Sequence, residues 1–330
     1  MKLLFITCMA FSLSALAFNK STPQECSPLT LKESLNSDTR NQREIAWCYA
    51  FTSADLIGQA YQLPEPVSAA DVALRYNKSF AAKIVQFFRR IGGGHSEDPI
   101  ERYLPHQTGF SKVAIERVYK DGWCPESVFP SELWTRHIRT NKGWETSKVP
   151  LKQAFREMLE LSRHKNDLNF QNLPYYYSFK NIETPDTFLR LLQKYRYDEF
   201  LQQLRLTACK DDRYRLPQRN PVLMVIKNPG IFNRIHSQLN AGRLISLDYD
   251  ARVLEEFKKH KLSLANLHTS ILLGRQWNTD RNECEYLVRD SYGKDCIGYD
   301  PEARCSQGYV WLPESMIYRN MTSIVYQATK

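Results

Sequence analysis

The segment QREIAWCYAF (42–51) sets a cysteine, Cys48, at the start of an apolar helical run, with Gln42 six residues upstream. Far downstream, LHTSILLG (267–274) carries His268 and EYLVRDSYG (285–293) carries Asp290. A thiol, an imidazole, a polar group to orient the imidazole and an amide donor are the parts of a cysteine acyl-transfer site. Only a thiolate attacks a carbonyl, and a helix N-terminus and a nearby imidazolium both favour that anion, so Cys48 is the expected nucleophile. The Gln42 amide, with the Cys48 backbone N–H, would stabilise the oxyanion of the tetrahedral intermediate. His268, between Leu267 and Thr269, would serve as base and then acid. Asp290 would orient its ring and favour its charged form. Each residue also has a plainer reading taken singly: a bridged cysteine, a surface glutamine, a core histidine, a strand-end aspartate. Among the other histidines, His95 is the best rival, because it follows a glycine run near the presumed cleft.

The elements around these residues follow from their periodicity. From Cys48 onward, Phe51, Ala54, Leu56, Ile57, Ala60 and Tyr61 recur at helical spacing, and Leu63-Pro64-Glu65-Pro66 ends the run. Further helices are expected at VSAADVALRYNK, SFAAKIVQFFRR and DPIERYLPH, with Gly92-Gly93-Gly94 breaking the chain between the last two. GWCPESVFP (122–130) is turn-rich. The charged, aromatic stretch that follows is mostly helical in pattern, as in VPLKQAFREMLELSRHK and TPDTFLRLLQKYRYDEFLQQLRL. IFNRIHSQLNAGRLISLDYD (231–250) reads as helix, glycine turn and strand, and strands follow at HTSILLGRQ, CEYLVRDS and GYVWLP.

The ends and the cysteines point to export. Lys2, the apolar LLFITCMAFSL and Ala15-Leu16-Ala17 make residues 1–17 a secretory signal; the run is too short for a stable membrane span, and no later segment reaches that length. Seven of the eight cysteines remain after its removal, which suggests three bridges and one free thiol. Setting Cys48 aside leaves six, whose pairing the sequence leaves open; Cys296 and Cys305 are close enough in sequence to close a local loop. The net charge of +9 falls to +8 once Lys2 leaves; a basic surface suits anionic substrates or an anionic envelope, and equally an ordinary solvated surface. No aromatic–basic motif marks a nucleic-acid binder, and no Cys/His cluster has ligand spacing, so no metal or cofactor is implied.

The order Gln42, Cys48-Tyr49-Ala50-Phe51, His268, Asp290-Ser291-Tyr292-Gly293 resembles the papain-like cysteine peptidases, whose pattern is Gln, Cys-Trp-Ala-Phe, His, Asn-Ser-Trp-Gly. The resemblance implies an α+β fold of two lobes, a helical left domain and a β-sheet-rich right domain, with the site in the cleft between them. It also implies that Gly93 and Gly94 pair with an extended peptide, where a plain loop is the alternative, and that Tyr292 covers the His–Asp hydrogen bond. Leu267 would join the substrate-binding residues. The departures are specific. Asp290 stands for asparagine, Tyr49 and Tyr292 stand for tryptophans, and Ile45 and Ile91 stand where the family has a disulfide. The 220-residue step from Cys48 to His268, against roughly 130–150 in the family, implies an insertion of roughly 70–90 residues.

The expected organisation is therefore a signal at 1–17, an N-terminal arm at 18–41, a helical domain at 42–133, a helical insertion at 134–225 and a β-rich domain at 226–330. The arm is too short for a helical inhibitory propeptide. The function expected is hydrolysis of polypeptides by an exported, secreted or periplasmic cysteine peptidase. A transglutaminase-like acyltransferase or amidase, favoured by Asp290, and a non-enzymatic papain-like binding module are the alternatives.

Overall fold

The computed structural model describes residues 20–42, 45–77, 109–164, 175–176, 185–217, 221–225, 230–261 and 266–327. The signal at 1–17, Gly93 and Gly94, His95, Ile91 and the helices expected at SFAAKIVQFFRR and DPIERYLPH lie outside these residues.

The architecture is α+β, with two hydrophobic cores. The helical lobe opens with α1 (Cys48–Ala60), whose first eleven residues are all buried. Its polar side chains Thr52, Ser53 and Asp55 are all hydrogen-bonded, and the helix is packed between the sheet and two other helices. These are α2 (Ala69–Tyr76), capped by Ser68, whose hydroxyl accepts from the Asp71 N–H at 3.0 Å, and α3 (Ser111–Asp121).

The 134–225 stretch contributes helices as expected, α4 (Leu151–Arg163), α5 (Pro185–Lys194) and α6 (Tyr197–Ala208). It also carries a hairpin, β2 (Leu133–Thr140) and β3 (Gly143–Pro150), with the short β4 (Tyr175–Tyr176) on the outer side of β2. Described residues of the stretch join the core of the helical lobe. Trp134 and Phe155 meet edge to face at 4.9 Å, Phe155 meets Trp47 at 6.1 Å, and Phe200 and Leu204 join the same buried cluster as Phe51 and Ile57. The Cys124–Cys209 disulfide then ties the end of α6 to the turn-rich segment after α3.

The second core lies under an antiparallel sheet. Its strands are β5 (Pro221–Val225), β6 (Ile245–Asp250), β7 (Leu267–Asn278), β8 (Glu283–Arg289), β9 (Tyr309–Pro313) and β10 (Met321–Gln327), ordered β5-β10-β6-β7-β8-β9. Helices α7 (Ile231–Asn240) and α8 (Glu314–Asn320) cover it, and Ile235, Leu239, Leu247, Leu272, Val288 and Ile317 fill the space between. The helix–turn–strand reading of 231–250 and the strands expected around His268 and Asp290 match these elements. Strand β5 closes the expected insertion in sequence, yet it is hydrogen-bonded along the edge of this sheet beside β10.

The arm is welded to the sheet rather than hanging from it. Its two-residue strand β1 (Leu29–Thr30) pairs with β7 at Arg275 and Gly274, where a Cβ on Gly274 would lie 2.7 Å from the Leu29 carbonyl oxygen. Cys26 is bridged to Cys284 on β8. Cys296 and Cys305 close the local loop that their spacing suggests, and among the described residues Cys48 is the free cysteine. Three disulfides suit an oxidising compartment. Among the described residues no helix is long and apolar enough to cross a membrane.

Candidate active site

Three stretches of chain, 42–52, 268–270 and 290–292, are bonded to one another around the head of α1. The thiol stands at the first residue of α1, at the positive end of the helix dipole, and is 3% exposed. One turn on, the Thr52 hydroxyl donates to the Thr269 carbonyl oxygen at 3.1 Å. That bond fixes the head of α1 against the residue next to His268, near the start of β7. Tyr49 points the other way, into the helical core, with its ring 4.7 Å from that of Tyr76.

His268 is 2% exposed and is held on three sides. Its Nε2–H donates to Asp290 Oδ1 at 2.5 Å, Tyr292 stacks on its face at 4.7 Å and 11°, and Tyr249 meets its edge at 5.6 Å. Tyr292 is 42% exposed, so its ring shields the His268–Asp290 bond while its other face meets solvent. Burial works against the imidazolium, but the surrounding Tyr292, Asp290 and Cys48 outweigh it, and the His268 pKa stands well above that of an ordinary histidine. Cys48 thus lies within electrostatic reach of His268.

Asp290 follows directly on β8, and its N–H donates to the Gly308 carbonyl oxygen at 2.9 Å. Its carboxylate accepts from His268, from the Ser291 N–H at 2.7 Å, from the Ser270 hydroxyl at 3.2 Å and from the Tyr299 hydroxyl. Burial alone would push this carboxyl upward; the facing His268 charge and the Tyr299 and Ser291 donors more than offset that and hold it below the usual carboxylate range. An asparagine here would offer one acceptor oxygen and need acceptors for its NH2, whereas these partners, hydroxyls and an N–H, can all donate to a carboxylate. Tyr299 and Ser270 are the residues that the sequence reading missed.

Gln42 reaches the site by pairing with the segment after Asp290. Its N–H donates to the Ser291 carbonyl oxygen at 2.7 Å, and the Ser291 hydroxyl donates to its Oε1 at 2.5 Å. With the oxygen end so held, the amide NH2 is the end that can donate to another group. Asn41 bridges to Tyr292, and the chain turns at Gly293, φ 98°, where a Cβ would lie 2.6 Å from the Asn41 side chain. Behind this pairing, Asp55 on α1 accepts from Arg40 at 2.7 Å and from Arg289, while Arg289 also donates to the Ser37 carbonyl oxygen at 2.8 Å. Arm, helix and strand β8 are thereby locked in register around the site. A small space of about 10 Å³, just enough for one water molecule, is lined by Arg40, Thr52, Asp55, Arg289, Asp290 and Ser291 within this network.

Of the other expected site residues, Leu267 opens β7 opposite Asp250 and is half-buried. Gly93 and Gly94 fall outside the described residues. Ile45 is 4% exposed within the helical core. Next to His268, a polar group not anticipated from sequence is buried: Asp248 accepts from the Thr269 hydroxyl at 2.8 Å and the Ser323 hydroxyl at 2.6 Å. Among the described residues no group of three or more His, Cys, Asp or Glu could hold a metal ion.

No protein-family model matches the chain, and no curated protein matches it. Among solved structures it is similar to a bromelain protease from Ananas comosus in complex with the inhibitor E64, at 11% identity, over 92% of this chain and 99% of that one, with a TM-score of 0.44. It is also similar to digestive procathepsin L 3 of Tenebrio molitor larval midgut, at 10% identity over 96% and 78% of the two chains, TM-score 0.44. A third is pepw from Lactobacillus rhamnosis, at 12% identity over 94% and 82%, TM-score 0.47.

Proposed function

We propose that the chain is an exported cysteine peptidase of papain-like type that hydrolyses polypeptides through a Cys48 acyl-enzyme. The observation that carries this reading is the setting of His268: hydrogen-bonded to a buried carboxylate, covered by Tyr292 and within electrostatic range of the unbridged Cys48 at the head of α1. The Cys48 thiolate attacks the peptide carbonyl carbon, and the oxyanion that forms is met by the Gln42 amide and the Cys48 N–H. His268 passes its proton to the departing amine as the carbon–nitrogen bond breaks, leaving a thioester. It then takes a proton from water, which attacks the thioester, releases the acid and restores the Cys48 thiolate beside the His268 imidazolium. In this reading 42–133 and 226–330 form the catalytic halves and 134–225 is an insertion fastened to the first. The signal at 1–17 would direct export, and the disulfides support an oxidising, secreted or periplasmic location.

A second reading has one observation in its favour. A carboxylate with a full set of donors replaces the family's amide, as suits Cys-His-Asp acyltransferases. One experiment separates the two: incubate the mature protein with a fluorogenic peptide, with and without a primary amine. Hydrolysis that ignores the amine is the expected result. Dominant amine incorporation would make the chain an acyltransferase. No turnover, together with a Cys48 inert to an epoxide-bearing peptide mimic, would leave a binding module.

Asp290→Asn is expected to keep substantial activity, because asparagine still accepts from the His268 ring. Its pH–rate profile is expected to change in one direction. The Asp290 charge helps raise the His268 pKa, so its loss makes the imidazolium easier to deprotonate and moves the basic limb to lower pH. Asp290→Ala should lose more activity than Asp290→Asn, since nothing then orients the ring. Identical profiles for wild type, Asn and Ala would remove Asp290 from the mechanism.

A further inference from the structure

A second buried cluster of charge lies at the seam between the helical lobe and the 134–225 stretch. Asp71 on α2 is fully buried and accepts from Arg75 Nε at 2.8 Å, from Arg205 Nη1 on α6 at 3.1 Å and from the Cys124 N–H at 3.2 Å. Four residues past Cys209, Arg213 runs its side chain along Gly122 and lies within electrostatic range of both other arginines. Two guanidinium groups therefore bond one carboxylate, and a third, that of Arg213, lies within electrostatic range of it, as does Asp121 at the end of α3.

The donors outnumber the acceptors. Among the described residues, Arg75 Nη1 and Nη2, Arg205 Nε, Arg213 Nε and Nη2 and the neighbouring Trp123 Nε1 are all buried without a hydrogen-bond partner. Arg75 is 1% and Arg205 3% exposed. Burial, then the like charges of Arg75 and Arg205, hold the Arg213 pKa below the usual guanidinium value. Buried charged donors without acceptors are costly, and so are like charges pressed together at low dielectric. A ligand that relieves both costs must be negative, compact and rich in acceptor oxygens. Guanidinium forks match tetrahedral oxyanions in this way.

We propose that Arg75, Arg205 and Arg213 form a binding site for a tetrahedral oxyanion, phosphate or sulfate, which fastens α6 to α2. The burial of Arg75 and Arg205 restricts the ligand to a small free ion and excludes a phosphate carried on a macromolecule. The bonds of Asp71, Arg75 and Arg205 involve none of Cys48, His268, Asp290 and Gln42, so the inference is independent of the reaction proposed above. Its effect would fall on the docking of the 134–225 stretch, which the same corner holds through Cys124–Cys209.

The test uses the mature protein dialysed into phosphate- and sulfate-free chloride buffer. A denatured portion is first assayed for co-released phosphate and sulfate by ion chromatography, so that a retained ion counts as occupancy. The remainder is titrated calorimetrically with inorganic phosphate, then sulfate, at constant ionic strength. Expected is about one ion per chain, retained or bound with saturable heat, and a matching rise in thermal midpoint. Arg213→Gln, which alters only a half-buried side chain, should weaken binding by about tenfold or more, as loss of a charged hydrogen bond does. Arg205→Gln, if it folds, should do the same. No retained ion and no saturable heat in the wild type would overturn the proposal. So would equal affinity in wild type and Arg213→Gln.

Discussion

Replacing Cys48 by alanine is expected to remove peptide hydrolysis, with kcat falling by at least about four orders of magnitude, as nucleophile deletions do in other acyl-enzyme hydrolases. The side chain is small, and the three disulfides do not involve it, so Cys48→Ala should keep the wild-type circular dichroism and unfold close to the wild-type midpoint. An epoxide-bearing peptide mimic should label the wild type at Cys48 and leave the variant unmodified. Hydrolysis at the wild-type rate by Cys48→Ala would end the cysteine-peptidase reading outright.

The next largest effect is expected at Gln42. Gln42→Ala should cost about two to three orders of magnitude in kcat with little change in KM, the signature of a donor used in the transition state and not in substrate binding. Ser291→Ala should cost less. The glutamine would still be present, but its Oε1 would lose the hydroxyl that keeps the amide from turning over. The two losses should not add, because Ser291 acts only through Gln42. Full additivity in Gln42→Ala/Ser291→Ala would show that Ser291 serves some other purpose. An unchanged kcat in Gln42→Ala would mean that the oxyanion is met elsewhere.

What could be read from the sequence was whatever is local. Cys48 with Gln42, and Asp290 with Ser291 and Tyr292, are each contained in one short segment, and β7 and β8 announce themselves by apolar runs with turns between. Contacts made by a distant residue with an unremarkable neighbourhood were not legible. Tyr299 reaches Asp290 only because its loop folds back, and nothing in GYDPEA says so. The anchors of the arm, a two-residue strand, one disulfide and the Arg40–Asp55–Arg289 network, were not legible either, because each is made with residues outside the arm. The β2–β3 hairpin was hidden by charge. A strand pair carrying Arg136, Arg139, Glu145 and Lys148 lacks the apolar alternation that marks a half-buried sheet, although Asn141-Lys142-Gly143 is a turn signal. Asp71 and Arg75 stand one helical turn apart in sequence, but nothing in the sequence brings Arg205 to them.

The loop that carries Tyr299 has a consequence for handling the protein. It is closed by Cys296–Cys305, whose two cysteines are half-buried, whereas all four cysteines of the other bridges are at most 1% exposed. Reductant reaches exposed bridges first. The same reagent that keeps Cys48 in its nucleophilic form would therefore, at higher dose, open this bridge and loosen the hydroxyl that supports Asp290. Activity plotted against reductant concentration should rise and then fall. The window between the two slopes measures how far apart the Cys48 thiol and the Cys296–Cys305 bond lie on a redox scale.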